Sequence, residues 1–159
     1  LKLSGKGSRF LIPRSYGGLG YAIPAVIGAH FARPQSRVVG LFGDGSLGMS
    51  AGELETISRL NLPVVLIHFN NSSFGWIKAL QRLHSQEKYY SVDFNANDPA
   101  RVAEGFGLTA QRITSPEALG EALEIAFPGD QPVFLDVATE PEVENLPPVY
   151  SWLKTAETE

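Results

Sequence analysis

The sequence predicts an α/β domain, doubly wound, with a mainly parallel sheet and helices on both faces. Three observations lead there. Residues 38–42 (VVGLF) and 64–69 (VVLIHF) are short, unbroken apolar runs of the kind that form buried strands. The stretch between them carries a helical pattern, and strand-helix-strand over about 30 residues is a crossover that joins parallel strands. The second half of the chain repeats the alternation.

The elements follow in order. Residues 1–15 read as irregular, rich in Gly, Ser and basic residues around Phe10, Leu11 and Ile12. From 20 to 33 the apolar positions Ala22, Ile23, Val26, Ile27, Ala29 and Phe31 suit a buried helix, with Pro24 tolerable only in its first turn. After the 38–42 strand, 43–48 is expected to turn. Residues 50–60 then form a helix, Ser50 and Glu53 having capping-box spacing and Leu54, Ile57 and Leu60 sharing a face. Asn61 and Pro63 separate that helix from the second strand. Helices are expected at 74–83 and 99–106, the latter stopped by Gly107, and a strand at 109–113. Ser115 caps a helix with Pro116 at its first position, running to about 127. A buried strand at 133–137 closes the domain. The domain is placed at 1–138, and 139–159 is a Pro/Glu-rich tail with Tyr150, Trp152 and Leu153 as anchors.

Composition limits the possible functions. The chain has 159 residues, 43% of them apolar and 19% charged. It holds no apolar run of the 18 or so residues that suggest a membrane span. No cysteine is present, which removes disulfides, thiolate nucleophiles and Cys-bound zinc and leaves the redox compartment open. The net charge of -4 resides in the tail, since residues 1–138 carry 12 acidic and 12 basic side chains. A balanced body argues against nucleic acid as a partner. No signal-peptide pattern is present, so a cytoplasmic location is expected. The only methionine is Met49, and the lack of an initiator favours a piece of a longer chain.

Of 16 glycines, 11 lie in residues 1–52, where backbone must bend sharply or approach a ligand. Ligands of doubly wound folds sit at the carboxyl ends of the strands. The first strand is followed there by Gly43-Asp44-Gly45-Ser46-Leu47-Gly48, and the second by Asn70-Asn71-Ser72-Ser73-Phe74-Gly75. The first segment matches the dinucleotide pattern G-x-G-x-x-G. That Rossmann reading needs an acidic residue at the end of the second strand, where amides stand, and would set Asp44 against a pyrophosphate. With Mg²⁺ between them the same residues become coherent. A hard cation takes one or two protein carboxylates, other oxygens, and the phosphates. Asp44, the Asn71 side-chain oxygen and a backbone carbonyl just beyond supply one side, and Gly45 and Ser46 N–H groups hold phosphate as the helix begins.

Gly-Asp-Gly, then 24 residues, then Asn-Asn resembles the signature of thiamine diphosphate (ThDP) enzymes. Residues 17–25 (GGLGYAIPA) are similar to the segment lying against the cofactor's pyrimidine in the acetolactate synthase, benzoylformate decarboxylase and pyruvate decarboxylase branch. Residues 98–138 resemble the end of its C-terminal diphosphate-binding domain. The resemblance implies the ThDP-binding fold, with Asp44, Asn71 and the Ser73 carbonyl on Mg²⁺. It also implies cofactor contacts from Gly17, Gly18, Leu19, Gly43, Gly45, Ser46, Phe74 and Gly75. The Gly17 carbonyl would receive the pyrimidine amino group, and Leu19 would hold the bent cofactor shape that aims the amino nitrogen at C2. Loss of the C2 proton then permits attack on a small 2-oxo acid. Trp76 is the candidate on the substrate side.

The family's glutamate against the pyrimidine comes from a separate pyrimidine-binding domain, and no candidate for that domain occurs here. A fragment of a three-domain enzyme, or one subunit of a split one, is therefore expected, working as a homo-oligomer (dimer or tetramer). Acetolactate synthases commonly carry tryptophan where this chain has Leu80, so decarboxylase and carboligase both stay open. The alternative is a non-catalytic ThDP-like module for assembly or regulation. Bland readings stand beside these: 43–48 alone is a plain βα turn, Leu19 a core residue, Asn70-Asn71 a turn, and Lys6 and Arg14 solvated rather than substrate-facing. His30, His68 and His84 lack metal-ligand spacing, and His68 reads as a satisfied core histidine.

Overall fold

Four parallel strands form one sheet in the order β1-β2-β4-β3, namely β1 (Val38–Gly43), β2 (Val64–Asn70), β4 (Val133–Ala138) and β3 (Thr109–Ile113). The structure is a computed structural model that describes residues 9–13 and 16–141. Lys6, Arg14 and the tail anchors Tyr150, Trp152 and Leu153 lie outside the described residues. Helices are α1 (Ala22–Ala32), α2 (Asp44–Ser50), α3 (Glu53–Arg59), α4 (Gly75–His84), α5 (Pro99–Gly105) and α6 (Pro116–Ala126). None is long and apolar enough to cross a membrane.

The apolar runs become strands because both of their faces find cover over much of the sheet. On one face Ile23 and Val26 of α1, Leu47, Leu54 and Ile57 pack on Phe42, Val64, Leu66 and Phe134. On the other, Ala122 and Ala126 of α6 pack on Val65, Ile67, Ile113 and Leu135. Complete burial of a side chain such as Phe134 stabilises the fold by roughly 1.5–3 kcal/mol. The Ser115 hydroxyl accepts the Ala118 N–H at 3.2 Å, the N-cap expected for α6. Asp98 caps α5 in the same way, accepting from Arg101 N–H at 3.1 Å.

Three local expectations are corrected. Residues 43–48 do not turn: α2 starts at Asp44, directly after β1, and its helical backbone sets Leu47 into the core. Ser50 consequently ends α2 instead of capping a helix, and its hydroxyl donates to the Ser46 carbonyl at 3.1 Å. A short break at 51–52 separates α2 from α3. Second, β1 is not covered on both faces. Val39 and Leu41 are 37% and 44% exposed, since α6 packs over β3 and β4 and does not reach this edge strand. Third, α1 buries only Ile23 and Val26, while Phe31 on another side is 61% exposed. In α4 the buried residues are Gly75, Ala79 and Leu83, with Trp76 and Ile77 turned outward.

Candidate functional site

The register of β1 on β2 sets Gly43 beside Phe69, so that Asp44 and the Asn70-Asn71 pair emerge side by side at the carboxyl edge of the sheet. The Asn71 backbone N–H donates to Asp44 Oδ2 at 3.0 Å. Asn71 Oδ1 accepts from the N–H and the hydroxyl of Ser73, both at 3.2 Å. Asn70 repeats the pattern one residue earlier, its Oδ1 accepting from Ser72 N–H at 3.1 Å and Ser72 Oγ at 3.2 Å. These are two overlapping Asx turns, a standard use of asparagine to replace backbone partners, and Ser72 sits within them at φ 55°. The loop is pinned further by Phe74 N–H to the Val92 carbonyl (2.8 Å) and Phe94 N–H to the Ser72 carbonyl (2.9 Å). Neither of these two bonds uses the Ser73 carbonyl.

Asp44, Asn71 and Ser73 are thus joined in one hydrogen-bonded unit. Among the described residues no group of three or more His, Cys, Asp or Glu side chains could hold a metal. A cation here would have to draw on one carboxylate together with amide and main-chain oxygens, the hard donor set suited to Mg²⁺. Burial supports the fit. Asp44 is only 9% exposed, and removing a carboxylate from water costs several kcal/mol. The Asn71 N–H meets one of the Asp44 oxygens, and a cation at the strand ends would meet the rest of its charge.

The glycine-rich turn before α1 reaches the same place. Gly17 and Gly20 have φ of 59° and 85°. A Cβ on Gly20 would stand 2.9 Å from the Met49 Cβ, so both conformation and space demand glycine there. The turn carries Leu19 over α2: a Cβ on Gly45 would lie 3.0 Å from Leu19 Cδ1 and 2.7 Å from Phe74 Cε1. Leu19 and Phe74 therefore converge on Gly45 from either side of it in the sequence. Leu19 is 51% exposed, which excludes the core reading. Gly17 and Gly18 would have nothing within 4 Å of an added Cβ. Ser46 and Gly43 are half-buried beside Asp44, and Gly75 is buried at the start of α4. Trp76 follows, exposed. A groove of about 430 Å³ runs from Asp44 and Phe74 past Leu47 to Phe94 and Val102.

A polar row beneath the site was not anticipated. Phe42, His68, Asp136 and Arg112 stand next to one another across all four strands. Asp136 Oδ1 is 2.8 Å from His68 Nδ1, and Arg112 Nη1 donates to Asp136 Oδ2 at 3.0 Å. Asn70 Nδ2 donates to the same carboxylate, at 3.0 Å to Oδ1. Burial by itself would raise the Asp136 pKa. The hydrogen bonds from His68 and Asn70 and the charges of His68 and Arg112 outweigh it, and hold the carboxyl below its ordinary range. His68 is not the satisfied core histidine expected. Its Nδ1 is partnered, but Nε2 has no hydrogen-bond partner and faces Asp44 Oδ1 at 3.6 Å, beyond hydrogen-bond length. The signal in sequence was a titratable residue inside each of two apolar runs, VVLIHF and VFLDVA; what it could not supply was their register.

Residues 2–137 match the family model described as "Thiamine pyrophosphate enzyme, C-terminal TPP binding domain". A probable acetolactate synthase large subunit of Methanococcus aeolicus is 39% identical over 133 residues, which cover 83% of this chain and 22% of that protein. Benzoylformate decarboxylase of Pseudomonas aeruginosa is 31% identical over 124 residues, covering 78% and 24% respectively. Among solved structures, the thiamine diphosphate-dependent 4-hydroxybenzoylformate decarboxylase of Rhodococcus jostii RHA1 superposes with a TM-score of 0.74 at 31% identity, over 78% of this chain and 24% of that one. The matched stretch thus spans less than a quarter of the length of these relatives.

Proposed function

The chain belongs to the thiamine pyrophosphate enzymes as their C-terminal TPP-binding domain, and from that membership we propose that it holds ThDP through Mg²⁺ in a 2-oxo acid decarboxylase or carboligase. The observation carrying this reading is the bond from Asn71 N–H to Asp44 Oδ2, which joins the two motifs into one oxygen-rich unit at 3.0 Å. Asp44, Asn71 Oδ1 and the Ser73 carbonyl would bind the metal. Asn71 Oδ1 already accepts two bonds from Ser73, and a metal on that oxygen would replace the one from the Ser73 hydroxyl. Gly45 and Ser46 offer N–H groups to the diphosphate, with Gly43 beside them, since α2 begins there and its first amides lack helical partners.

Leu19, beside Gly45 and Phe74, would support the cofactor between its rings, and Gly17, Gly18 and Gly75 would contribute contacts around it. Trp76 lies on the substrate side. ThDP, when bound, supplies the acidic C2 position and the electron sink that decarboxylation of a 2-oxo acid requires. This chain's share is to hold the diphosphate end, fix the ring geometry and exclude water.

Turnover in this reading also needs a pyrimidine-binding domain, from another chain or another region of the protein, and a homo-oligomer. Two observations support that. The stretch matched to this chain is only 22% and 24% of the length of two relatives, and Tyr21, Phe31, Val39, Leu41 and Trp76 are exposed apolar side chains on the chain alone. The non-catalytic alternative is disfavoured by the buried carboxylate, because Asp44 at 9% exposure carries a desolvation cost that a neutral cap at the same place would avoid. Release of CO₂ from pyruvate and benzoylformate tests the proposal. Activity is expected once a pyrimidine-binding domain is present and none from residues 1–159 alone; ordinary turnover by 1–159 without added protein would mean that the catalytic acid lies within this chain.

A further inference from the structure

We infer that His68 is a positioning residue for the Asp44 carboxylate, anchored from below by Asp136, and that it sets the divalent-metal affinity of the site. The inference rests on the reading of Asp44 as a metal ligand, and goes beyond it by assigning a task to His68 and Asp136, two buried residues outside both motifs.

The geometry is directional. Asp136 and Asp44 lie on opposite sides of one imidazole, at 2.8 Å from Nδ1 and 3.6 Å from Nε2. Arg112 holds the far oxygen of Asp136, so that carboxylate is itself fixed. The ring also has neighbours of a different kind, Phe42 and Phe134, with centroids at 5.6 and 5.8 Å. Those contacts ask only for an aromatic of suitable size. Phenylalanine would fill the same space in a wholly apolar cluster. What it could not do is engage Asp136 or present a polar atom to Asp44.

A fully buried histidine with one nitrogen unpartnered is unfavourable as packing, and His68 Nε2 is the only such side-chain atom among the described residues. That atom is aimed at the carboxylate the metal reading requires. Asp44 Oδ2 is bonded to the Asn71 N–H, and Oδ1 has His68 Nε2 as its polar neighbour at 3.6 Å. Metal-ligating carboxylates are typically oriented by such outer contacts, and loss of one lowers metal affinity by 10–100-fold. Asp136 acts on the other half of the site as well. It accepts from Asn70 Nδ2, while Asn70 Oδ1 holds the turn at Ser72 that leads to Ser73. One carboxylate on β4 therefore steadies both strand ends that carry the proposed ligands.

The test is Mn²⁺ binding, followed by electron paramagnetic resonance of the free ion at saturating ThDP, on full-length protein and four variants. His68→Asn keeps an amide near the Nδ1 position for Asp136 and withdraws from Asp44. His68→Gln places its amide near the Nε2 position, and His68→Phe preserves packing alone. Asp44→Ala is the control. Affinity should fall about 10-fold or more in His68→Asn and His68→Phe and recover substantially in His68→Gln, with thermal midpoints of the metal-free Asn and Gln variants alike. Loss of binding in Asp44→Ala beside wild-type affinity in His68→Asn overturns the inference and leaves the metal reading standing. Equal losses in His68→Asn and His68→Gln, tracking thermal stability, overturn it as a structural effect. Wild-type affinity in Asp44→Ala removes the metal reading and the inference with it.

Discussion

Asn71 and Asp44, 27 positions apart in sequence, meet through a single hydrogen bond from the Asn71 N–H to Asp44 Oδ2 at 3.0 Å. Parallel pairing of β1 with β2 produces this contact: with Gly43 beside Phe69, the residues just past each strand must emerge together. The two motifs become one site because of strand register, and each residue around it can be tested by what it touches.

Gly45→Ala should disturb the site through contact alone. The new methyl would stand 2.7 Å from Phe74 Cε1 and 3.0 Å from Leu19 Cδ1. Both side chains must shift, at an expected stability cost of about 1–3 kcal/mol, as for overpacking elsewhere. Urea unfolding measures it. ThDP affinity should fall as well; a variant matching wild type in both would show that the three residues are not packed together as described.

Leu19→Ala should behave oppositely. The side chain is half exposed, so truncation should cost less than about 1 kcal/mol, below the 2–5 kcal/mol of a buried leucine. Cofactor affinity should hold, while hydrogen/deuterium exchange at cofactor C2 slows. An unchanged exchange rate would remove Leu19 from the cofactor's surroundings.

How much of this was legible beforehand varies with the interaction's range. Local signals succeeded: the caps at Ser115, the stop near Gly107 and the four strands depend on neighbours a few residues away. The beginning of α2 was misread because Gly43, Gly45 and Gly48 look like a turn, whereas the segment is helical and sets Leu47 into the core. Exposure of Val39 and Leu41 was missed for a related reason, since an apolar strand does not reveal which helix reaches it. That Asp44 and Asn71 stand together was legible in the motif spacing. His68, Asp136 and Arg112 were not assembled, because their contact depends on the order β1-β2-β4-β3, which places β4 in the interior beside β2.

Acid should destabilise the protein partly through Asp136. Its pKa is depressed in the folded state, so the stability it contributes is fully present above the unfolded-state value of about 3.9. That stability is lost as pH falls through the lower folded value. In Asp136→Asn the pH dependence of the unfolding free energy below about pH 4 should flatten, beside lower stability at neutral pH. Parallel acid curves for the two proteins would exclude Asp136 as a source of that dependence.

The central claim is that Asp44 and the Asn71-Ser73 loop hold ThDP through a divalent metal, and calorimetric titration of ThDP into the protein, with Mg²⁺ and then with EDTA, tests it most directly. The account predicts saturable binding with Mg²⁺, none with EDTA, and loss of the Mg²⁺-dependent binding in Asp44→Ala while circular dichroism shows the fold retained. ThDP binding of equal affinity in EDTA, or in Asp44→Ala, would contradict it.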